Sequence, residues 1–311
     1  MIRFEAVTKR YGATTVVDRL DLDICEGTLC ALIGASGSGK STTLRMINRL
    51  VEPDAGRVLF AGHPVSEASP EVLRRRMGYV IQSVGLFPHW TVARNIAAVP
   101  ALLGWDRSRI LARVEALMAL LRLDPGLAAS YPNALSGGQA QRVGVARALA
   151  ADPELLLMDE PFGALDPVTR TALQGELARI HRETGKTIVL VTHDMDEALL
   201  LASQVVILEH GRILQNAPPA TLLASPASEA VRDFVGRSDR GLKLLALLAV
   251  TERMHPPTAS GAAMGAAEIA ADADCRAALS RMVELRCDRL SVVGPDGRAI
   301  GVVWLSDLVG A

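Results

Sequence analysis

The chain has 311 residues, of which half are apolar and 22% are charged, and its formal net charge is −1. This length suits one large domain with a small one, or two medium domains, and the apolar content excludes a disordered chain. A net charge so close to zero provides no bulk attraction to nucleic acid or to anionic lipid. From charge alone we expect no nucleic-acid partner.

The hydropathy pattern argues against a membrane span within the chain. The apolar runs 242–250 and 198–202 reach at most half of the roughly 18–20 residues that cross a bilayer. The first five residues lack the pattern of a signal peptide. The scattered cysteines show no Cys-x-x-Cys spacing, which predicts no metal cluster and favours a reducing, cytosolic setting. If the protein serves a membrane, we expect it to act through partner chains.

The first two-thirds of the chain alternate short apolar runs with helical patterns. Residues 2–11 and 14–24 predict antiparallel strands on one flank, and residues 29–33 predict a strand that leads through a glycine-rich turn into a helix over 41–50. Later runs are candidate strands buried on both faces, at 155–158, 187–191 and 205–208, with helices at 167–183 and 195–202 between them. The stretch 92–124 is rich in Leu, Ala and Arg and predicts a helical subdomain. This order indicates an α/β fold whose mostly parallel sheet is flanked by helices.

The pattern breaks near residues 235–240, where Pro, Gly and Ser recur. We therefore predict a first domain over 1–236, a linker over 237–249 and a second domain over 250–311. The second domain is predicted to be a small α+β unit, with a helix at 277–285, a hairpin of strands at 289–293 and 299–304, and a short helix from 306.

A phosphate-binding loop lies between the strand at 29–33 and the helix that follows. The motif G-x-x-x-x-G-K-S/T is matched by consecutive residues, Gly34, Ala35, Ser36, Gly37, Ser38, Gly39, Lys40 and Ser41. Glycines let backbone N–H groups turn toward phosphate oxygens, and the helix N-terminus adds partial positive charge. Lys40 is the candidate bridge between the β- and γ-phosphates, Ser41 the candidate Mg²⁺ ligand, and Thr42 a further nucleotide contact.

Two carboxylates end the apolar run 155–158. A parallel strand delivers its last side chains to the carboxyl edge of the sheet, beside the phosphate loop. There Asp159 suits contact with Mg²⁺, and Glu160 suits polarising the attacking water, with Lys40 as a catalytic cation. Together with the loop, the pair predicts a P-loop NTPase.

A second glycine-containing turn, at residues 136–139, narrows the class of P-loop NTPase that the sequence predicts. Ser136, Gly137, Gly138 and Gln139 open a helical stretch and follow Leu135. A Ser-Gly-Gly turn at a helix start is a second anion site. The run resembles the signature sequence of ABC ATPases, a family in which this turn contacts ATP held by the phosphate loop of the other subunit.

Further positions match the same family in order along residues 1–236. Tyr11 resembles the aromatic residue that stacks on adenine, and Gln82 resembles the loop glutamine that reaches Mg²⁺ and the membrane partner. Asp166, in Ala164-Leu165-Asp166, resembles the loop that crosses the dimer interface, and His193 resembles the switch histidine at the γ-phosphate. One departure is Ala140, where importer subunits often carry Gln.

The resemblance implies the cofactors and partners. We expect ATP and Mg²⁺, a homodimer of ATPase subunits that share two sites, two polytopic transmembrane permease subunits and a substrate-binding protein. The expected location is peripheral, on the cytoplasmic face of the inner (plasma) membrane.

The runs 85–92 and 161–167 look like those of importer ATPases. The chain is most similar to the group that imports quaternary-amine osmoprotectants such as glycine betaine, choline or carnitine. Two alternatives stay open, an importer ATPase for methionine or a polar amino acid and a non-transport ABC ATPase acting on DNA or ribosomes.

Residues 250–311 resemble a single CBS domain, on the evidence of Met254-His255-Pro256-Pro257, the strand 290–293, Asp296-Gly297 and the strand 301–303. Such units normally occur in pairs, so the single unit implies pairing across the ATPase dimer. The resemblance also implies two possible sensing roles, for a nucleotide or for ionic strength. The family places Thr or Ser three residues before an Asp to bind ribose. Here Trp304, a bulky indole, stands three residues before Asp307 in place of the hydroxyl, so a structural or dimerising role stays open beside the sensing roles.

Overall fold

The computed structural model of the chain describes residues 1–163, 165–236, 239–256 and 267–309. The chain divides into two compact units, Met1–Pro218 and Pro219–Ala311. In the described ranges, no helix combines the length and the apolar character needed to cross a bilayer. The positions Ala164 and Pro257, which took part in the motif comparisons, lie outside the described residues.

The strands are β1 Ile2–Tyr11, β2 Thr14–Ile24, β3 Leu29–Ile33, β4 Ala55–Phe60, β5 His63–Pro64, β6 Met77–Val80, β7 Leu155–Asp159, β8 Thr187–Val191, β9 Gln204–Glu209, β10 Arg212–Ala217, β11 Glu268–Ala270, β12 Arg289–Val293 and β13 Ala299–Trp304. The helices are α1 Lys40–Ile47, α2 Pro70–Arg75, α3 Val92–Ile96, α4 Ala98–Leu102, α5 Arg107–Leu120, α6 Gly137–Leu149, α7 Pro167–Thr184, α8 Met195–Leu201, α9 Pro219–Ala224, α10 Glu229–Val235, α11 Arg240–Leu247, α12 Cys275–Leu285 and α13 Leu305–Val309.

A six-stranded sheet organises the first unit, in the order β10-β9-β3-β8-β7-β6. Its strands β9, β3, β8, β7 and β6 are parallel, and β10 pairs antiparallel with β9 at one edge. Every residue of β3, β7 and β8 is buried, as expected for strands covered on both faces. The predicted mostly parallel sheet is confirmed.

A separate four-stranded antiparallel sheet has the order β2-β1-β4-β5. Burial alternates along β1 and β2, so one face of this sheet packs on the core and the other meets solvent. Phe4 and Phe60 lie on the packed face and share a core with Leu44 of α1. The predicted antiparallel flank is therefore confirmed, and its core contacts support the helix that follows the phosphate loop.

The stretch 92–124 is helical, as predicted, and it contains three α-helices, α3, α4 and α5. The helices α3 and α4 meet at Ala97, and α5 begins after Asp106, whose carboxylate accepts a hydrogen bond from the N–H of Arg109 at 2.9 Å. Capping of this kind satisfies N–H groups that have no intrahelical partner, and so it sets where each helix begins.

The second unit contains a three-stranded sheet of order β11-β12-β13, with β11 and β12 parallel and β12 and β13 antiparallel. The strands β12 and β13 have the bounds predicted from the sequence. The helix α12 begins two residues before the predicted start, because the carboxylate of Asp274 caps it through the N–H of Ala277 at 2.7 Å.

The domain boundaries drawn from composition differ from the two compact units. The helices α9 and α10 group with the C-terminal unit, although they precede residue 236. The range predicted as a linker, 237–249, contains helix α11. Leu245 of this helix is buried in the C-terminal core beside Val250 and Met282. That burial stabilises the helix, although its turn-forming neighbours in the sequence had indicated a linker.

Candidate nucleotide-binding site

The phosphate loop joins the end of β3 to the start of α1. A Cβ atom on Gly34 would lie 2.1 Å from the carbonyl oxygen of Leu208, and one on Gly39 would lie 2.6 Å from that of Val16. Gly39 also has a φ of 98°, in the left-handed region that favours glycine. Both positions therefore require glycine, since neighbouring backbone approaches too closely for any side chain.

Lys40 is buried at the centre of this loop, with 6% of its surface exposed. Its Nζ atom donates hydrogen bonds of 2.8 Å to the carbonyl oxygens of both Gly34 and Ala35. Burial lowers the pKa of Lys40, while the charges of Glu160 and Asp159 act to raise it. The ammonium is thus held by loop carbonyls at the place where the motif predicts phosphate oxygens.

An open cavity of about 370 Å³ lies over the loop. Its lining consists of Val16, Ser36, Gly37, Gly39, Lys40, Ser41, Thr42, Glu160 and His193. The site residues from the loop, from the end of β7 and from the end of β8 therefore face one space.

The oxygens of Ser41 and Asp159 form the candidate metal position. The Ser41 hydroxyl donates to Oδ1 of Asp159 at 2.8 Å, and Nη2 of Arg45 lies 3.2 Å from Oδ2. Among the residues that the structure describes, no group of three or more His, Cys, Asp or Glu is arranged to hold a metal ion. Hydroxyl and carboxylate oxygens are nevertheless the donors that Mg²⁺ prefers beside phosphate oxygens, so this pair fits the ion.

Glu160 contacts two other site residues that were predicted from distant parts of the chain. Its Oε2 atom lies 3.2 Å from Nε2 of Gln82 and 3.4 Å from Nδ1 of His193. The backbone of Glu160 adopts a φ of 47°, and its N–H donates to the carbonyl of Val191 at 2.9 Å. A left-handed conformation is costly for a residue with a side chain, and here it turns the carboxylate out at the end of the strand.

The Ser-Gly-Gly turn forms the N-terminus of α6. Ser136 and Gln139 build a capping box, in which the N–H of Ser136 donates to Oε1 of Gln139 at 2.9 Å and the N–H of Gln139 donates to Oγ of Ser136 at 3.3 Å. Ser136 and Gly137 are exposed, whereas Gly138 is buried against Thr169 of α7. In this single chain each of the two polar side chains accepts a hydrogen bond from the backbone N–H of the other residue, and Ser136 and Gly137 face solvent.

Asp166 and Tyr11 lie outside the cavity lining, as do residues 136–139. Asp166 caps α7, accepting hydrogen bonds from the N–H groups of Val168 at 3.1 Å and Thr169 at 3.0 Å, and the bonds from Thr169 lower the pKa of Asp166. Tyr11 is half-exposed at the end of β1, and Nζ of Lys9 lies 5.4 Å from its ring centroid. The cavity therefore brings together the phosphate-loop residues, Glu160 and His193. Asp166, Tyr11 and residues 136–139 lie apart from that cavity.

Two residues that contact Asp159 were not predicted from the sequence. Arg45 lies one helical turn after Ser41, and the Tyr79 hydroxyl lies 3.5 Å from Oδ2 of Asp159. Ser41 and Arg45 are four residues apart, which puts both on one face of α1. That spacing could have predicted that Arg45 lies close to the partner of Ser41. The approach of Tyr79 depends on β6 pairing with β7, which has no local signature.

Comparisons with known proteins identify a family for this chain. Residues 17–163 match the family described as "ABC transporter". The chain is 54% identical to the glycine betaine uptake system ATP-binding protein YehX of Escherichia coli (strain K12), over 99% of both chains. It is 46% identical to the glycine betaine/carnitine/choline transport ATP-binding protein OpuCA of Bacillus subtilis (strain 168), covering 94% of this chain and 75% of the relative.

Among solved structures, the dimeric structure of MJ0796, described as a bacterial ABC transporter cassette, superimposes with a TM-score of 0.64 at 32% identity. The match covers 70% of this chain and 99% of that one.

Proposed function

This chain belongs to the family of ATP-binding subunits of ABC transporters, and we propose that it hydrolyses ATP to power import of a quaternary-amine osmoprotectant such as glycine betaine, choline or carnitine. The observation that carries the proposal is the convergence of Gln82 and His193 on Glu160, beside the phosphate loop. A carboxylate held between an amide and an imidazole at a phosphate site suits hydrolysis of a phosphoanhydride.

The loop and its lysine bind the triphosphate in this proposal. The backbone N–H groups of residues 34–41 and the N-terminus of α1 hold the β-phosphate, and Lys40 leaves its carbonyl partners to bridge the β- and γ-phosphates. Ser41 and Asp159 would hold Mg²⁺, and the bound ion would neutralise charge on the phosphate oxygens. Tyr11 stacks on the adenine, and Thr42 adds a contact from the first turn of α1.

Glu160 orients and polarises the attacking water. Gln82 and His193 both contact Oε2 of its carboxylate, which restricts the orientation of a side chain that lines the cavity. Gln82 would also provide a ligand to Mg²⁺, and His193 would contact the γ-phosphate. The left-handed backbone of Glu160 supports this role, since strain of this kind commonly accompanies a functional side chain.

A second copy of the chain completes each site. Ser136, Gly137 and Gly138 lie outside the cavity of their own chain, and the first-turn N–H groups of α6 form an anion-binding end that faces solvent. We propose that this end binds the γ-phosphate held by the partner copy, with Gln139 orienting Ser136 and Asp166 lying at the interface. A homodimer then contains two shared sites, and ATP binding closes it.

The partners proposed for the dimer are two polytopic permease subunits and a substrate-binding protein. A cavity of about 420 Å³ supports a permease contact, because Leu102 in its lining is 69% exposed and Phe87, whose ring centroid lies 5.8 Å from the guanidinium of Arg147, is 41% exposed. Its lining includes Met77, Tyr79, Val99 and Arg147. The location that we propose for the subunit is the cytoplasmic face of the inner membrane.

For the C-terminal unit we propose a single CBS-like domain with a structural or dimerising role. The carboxylate of Asp307, the candidate ribose ligand, is already engaged, accepting from the N–H of Trp304 at 2.9 Å and lying 3.2 Å from Nε2 of His255. Those contacts favour a structural role over nucleotide binding.

Uptake of labelled glycine betaine, choline and carnitine by cells lacking this subunit tests the proposal. Restoring the wild-type gene should restore uptake of at least one of the three, and a Lys40→Ala variant should not, although it is produced to the same level. Unchanged uptake of all three in the deleted strain contradicts the osmoprotectant assignment. A parallel test with methionine and polar amino acids examines the alternative solutes.

A further inference from the structure

A buried hydroxyl ties the backbone on both sides of His193. Oγ1 of Thr192 donates a hydrogen bond of 2.6 Å to Oε2 of Glu197 and accepts one of 3.0 Å from the N–H of Asp194. Thr192 is 2% exposed and Glu197 is 6% exposed. Because hydrogen bonds are stronger away from water, the buried bond between Thr192 and Glu197 restrains the backbone around His193.

Glu197 is itself fixed by the two helices that cover this end of the sheet. It lies in the first turn of α8, where the Asp194 carboxylate accepts from its N–H at 3.2 Å. Its Oε1 atom accepts a hydrogen bond of 3.2 Å from Nε2 of Gln174, and Nε of Arg170 lies 4.0 Å away. Glu197 therefore joins Thr192 to both α7 and α8.

His193 has no comparable packing of its own. Its side chain is 64% exposed, and the contact described for its ring is the approach of Nδ1 to Oε2 of Glu160 at 3.4 Å. A ring that meets so little protein takes its position from its backbone. That backbone is set by the residues immediately before and after it, which share the Thr192 hydroxyl.

We propose that Thr192 and Glu197 are positioning residues, which fix the peptide of His193 and thereby hold its ring against Glu160. The inference rests on the proposed roles of His193 and Glu160 in hydrolysis. Neither Thr192 nor Glu197 lines the cavity, so both act through His193 and not on the nucleotide.

The test compares full-length variants at the two ends of strand β8. Thr192→Val keeps the shape of the side chain and removes the hydroxyl, and Thr192→Ser restores it. Thr187→Val is the matched control, since its buried hydroxyl accepts from the N–H of Gly27 at 2.9 Å, at the opposite end of the strand. We measure kcat per nucleotide-binding site, the affinity for a fluorescent ATP analogue, and Tm.

Thr192→Val is expected to lower kcat about fivefold or more, because it removes one hydrogen bond that holds the peptide of His193, with affinity within about twofold of the wild type. Thr192→Ser should recover most of kcat, and Thr187→Val should lower Tm without lowering kcat. If Thr192→Val does not fold, Glu197→Met removes the acceptor with an apolar side chain of similar length and should lower kcat in the same way.

His193→Ala, measured alongside, separates the two hypotheses. If His193→Ala loses activity while Thr192→Val, or Glu197→Met in its place, keeps the wild-type kcat, the positioning inference is overturned and the proposed function stands. An equal loss of kcat and affinity in Thr192→Val also overturns it. If His193→Ala keeps the wild-type kcat, the proposed role of His193 fails, and the inference fails with it.

Discussion

The hydroxyl of Ser41 donates a hydrogen bond of 2.8 Å to Oδ1 of Asp159. The two residues are 118 positions apart in the chain, at the start of α1 and the end of β7. Asp159 is almost fully buried and also meets the guanidinium of Arg45. An arrangement of this kind orients both oxygens before Mg²⁺ binds, so little side-chain ordering remains to be done when the ion arrives.

Ser41→Ala should weaken binding of ATP in the presence of Mg²⁺ by about tenfold or more, because it removes one proposed oxygen ligand. Affinity for ATP in excess EDTA should stay close to that of the wild type. Fluorescence titrations with and without Mg²⁺ measure both, with Ser41→Thr as the control that keeps a hydroxyl. Equal weakening in the two conditions would show that Ser41 does not bind the ion.

Glu160→Gln should retain ATP binding and lower kcat by about 10²–10⁴-fold, the range for loss of a general base. Since ATP is then bound but not consumed, a dimer should accumulate with ATP and Mg²⁺ and be visible by light scattering. Glu154→Gln is the control, because Glu154 lies beside the same strand but pairs with Arg76 at the surface. A monomeric Glu160→Gln protein with saturating ATP would contradict the shared site.

Mixing two inactive variants tests whether the sites are shared. Lys40→Ala disables the phosphate loop, and Ser136→Arg blocks the exposed end of α6. Each variant alone should be inactive, whereas a mixed dimer retains one site with an intact loop and an intact signature turn. Recovered ATPase activity in the mixture is the expected result. Wild-type activity of both single variants would rule out the composite site.

Gly138→Ala should destabilise the protein relative to Gly137→Ala. A Cβ atom on Gly138 would lie 2.3 Å from Cγ2 of Thr169, whereas one on Gly137 has its nearest neighbour at 3.9 Å. Overpacking of this kind typically lowers the free energy of unfolding by about 1–3 kcal/mol. Both substitutions gain the same helix propensity from Gly to Ala, so the difference between the variants reports the overpacking. Urea unfolding of the two variants gives the difference. Adding Thr169→Ser removes the clashing methyl and should recover the loss, and equal stabilities would contradict the tight packing.

Asp307→Ala should loosen the end of the C-terminal unit. Burial acts to raise the pKa of Asp307, but the hydrogen bonds from the Trp304 N–H and from His255 outweigh it and hold the pKa below 3.8. The contribution to stability is therefore present above pH 3.8 and is lost as the pH falls through the lowered pKa.

Hydrogen exchange of residues 289–309 should accelerate in Asp307→Ala at neutral pH, while the exposed neighbour Asp288→Ala leaves it unchanged. ATPase activity of both variants should match the wild type. Unaltered exchange in Asp307→Ala would show that its contacts do not stabilise the unit.

Local chemistry made several elements predictable from the sequence. The bounds of β3 and β8 follow from continuous apolar runs, because strands covered on both faces exclude polar side chains. The phosphate loop was predictable because backbone curvature and phosphate binding both depend on glycines at fixed spacing. The strands β12 and β13 were predictable because a short turn joins them.

Other predictions came from resemblance to a family and not from the residues alone. Nothing local in Gln82 or His193 distinguishes them from ordinary surface residues, and their order along the chain suggested their roles. The approach of both side chains to Glu160 is a tertiary contact, produced by the parallel pairing of β6, β7 and β8.

The sequence by itself determined the α/β class, the phosphate loop and the bounds of several strands, such as β3, β8, β12 and β13, because these depend on periodicity and on backbone chemistry within a few residues. The tertiary structure decided which side chains share a site. Arg45 and Tyr79 beside Asp159, and Glu197 beneath Thr192, meet only after strands pair and helices pack, as does the helix α11 within the range expected to be a linker. In the same way, the hydroxyl of Ser41 and the carboxylate of Asp159 become partners only when parallel strands bring their carboxyl ends to one edge of the sheet.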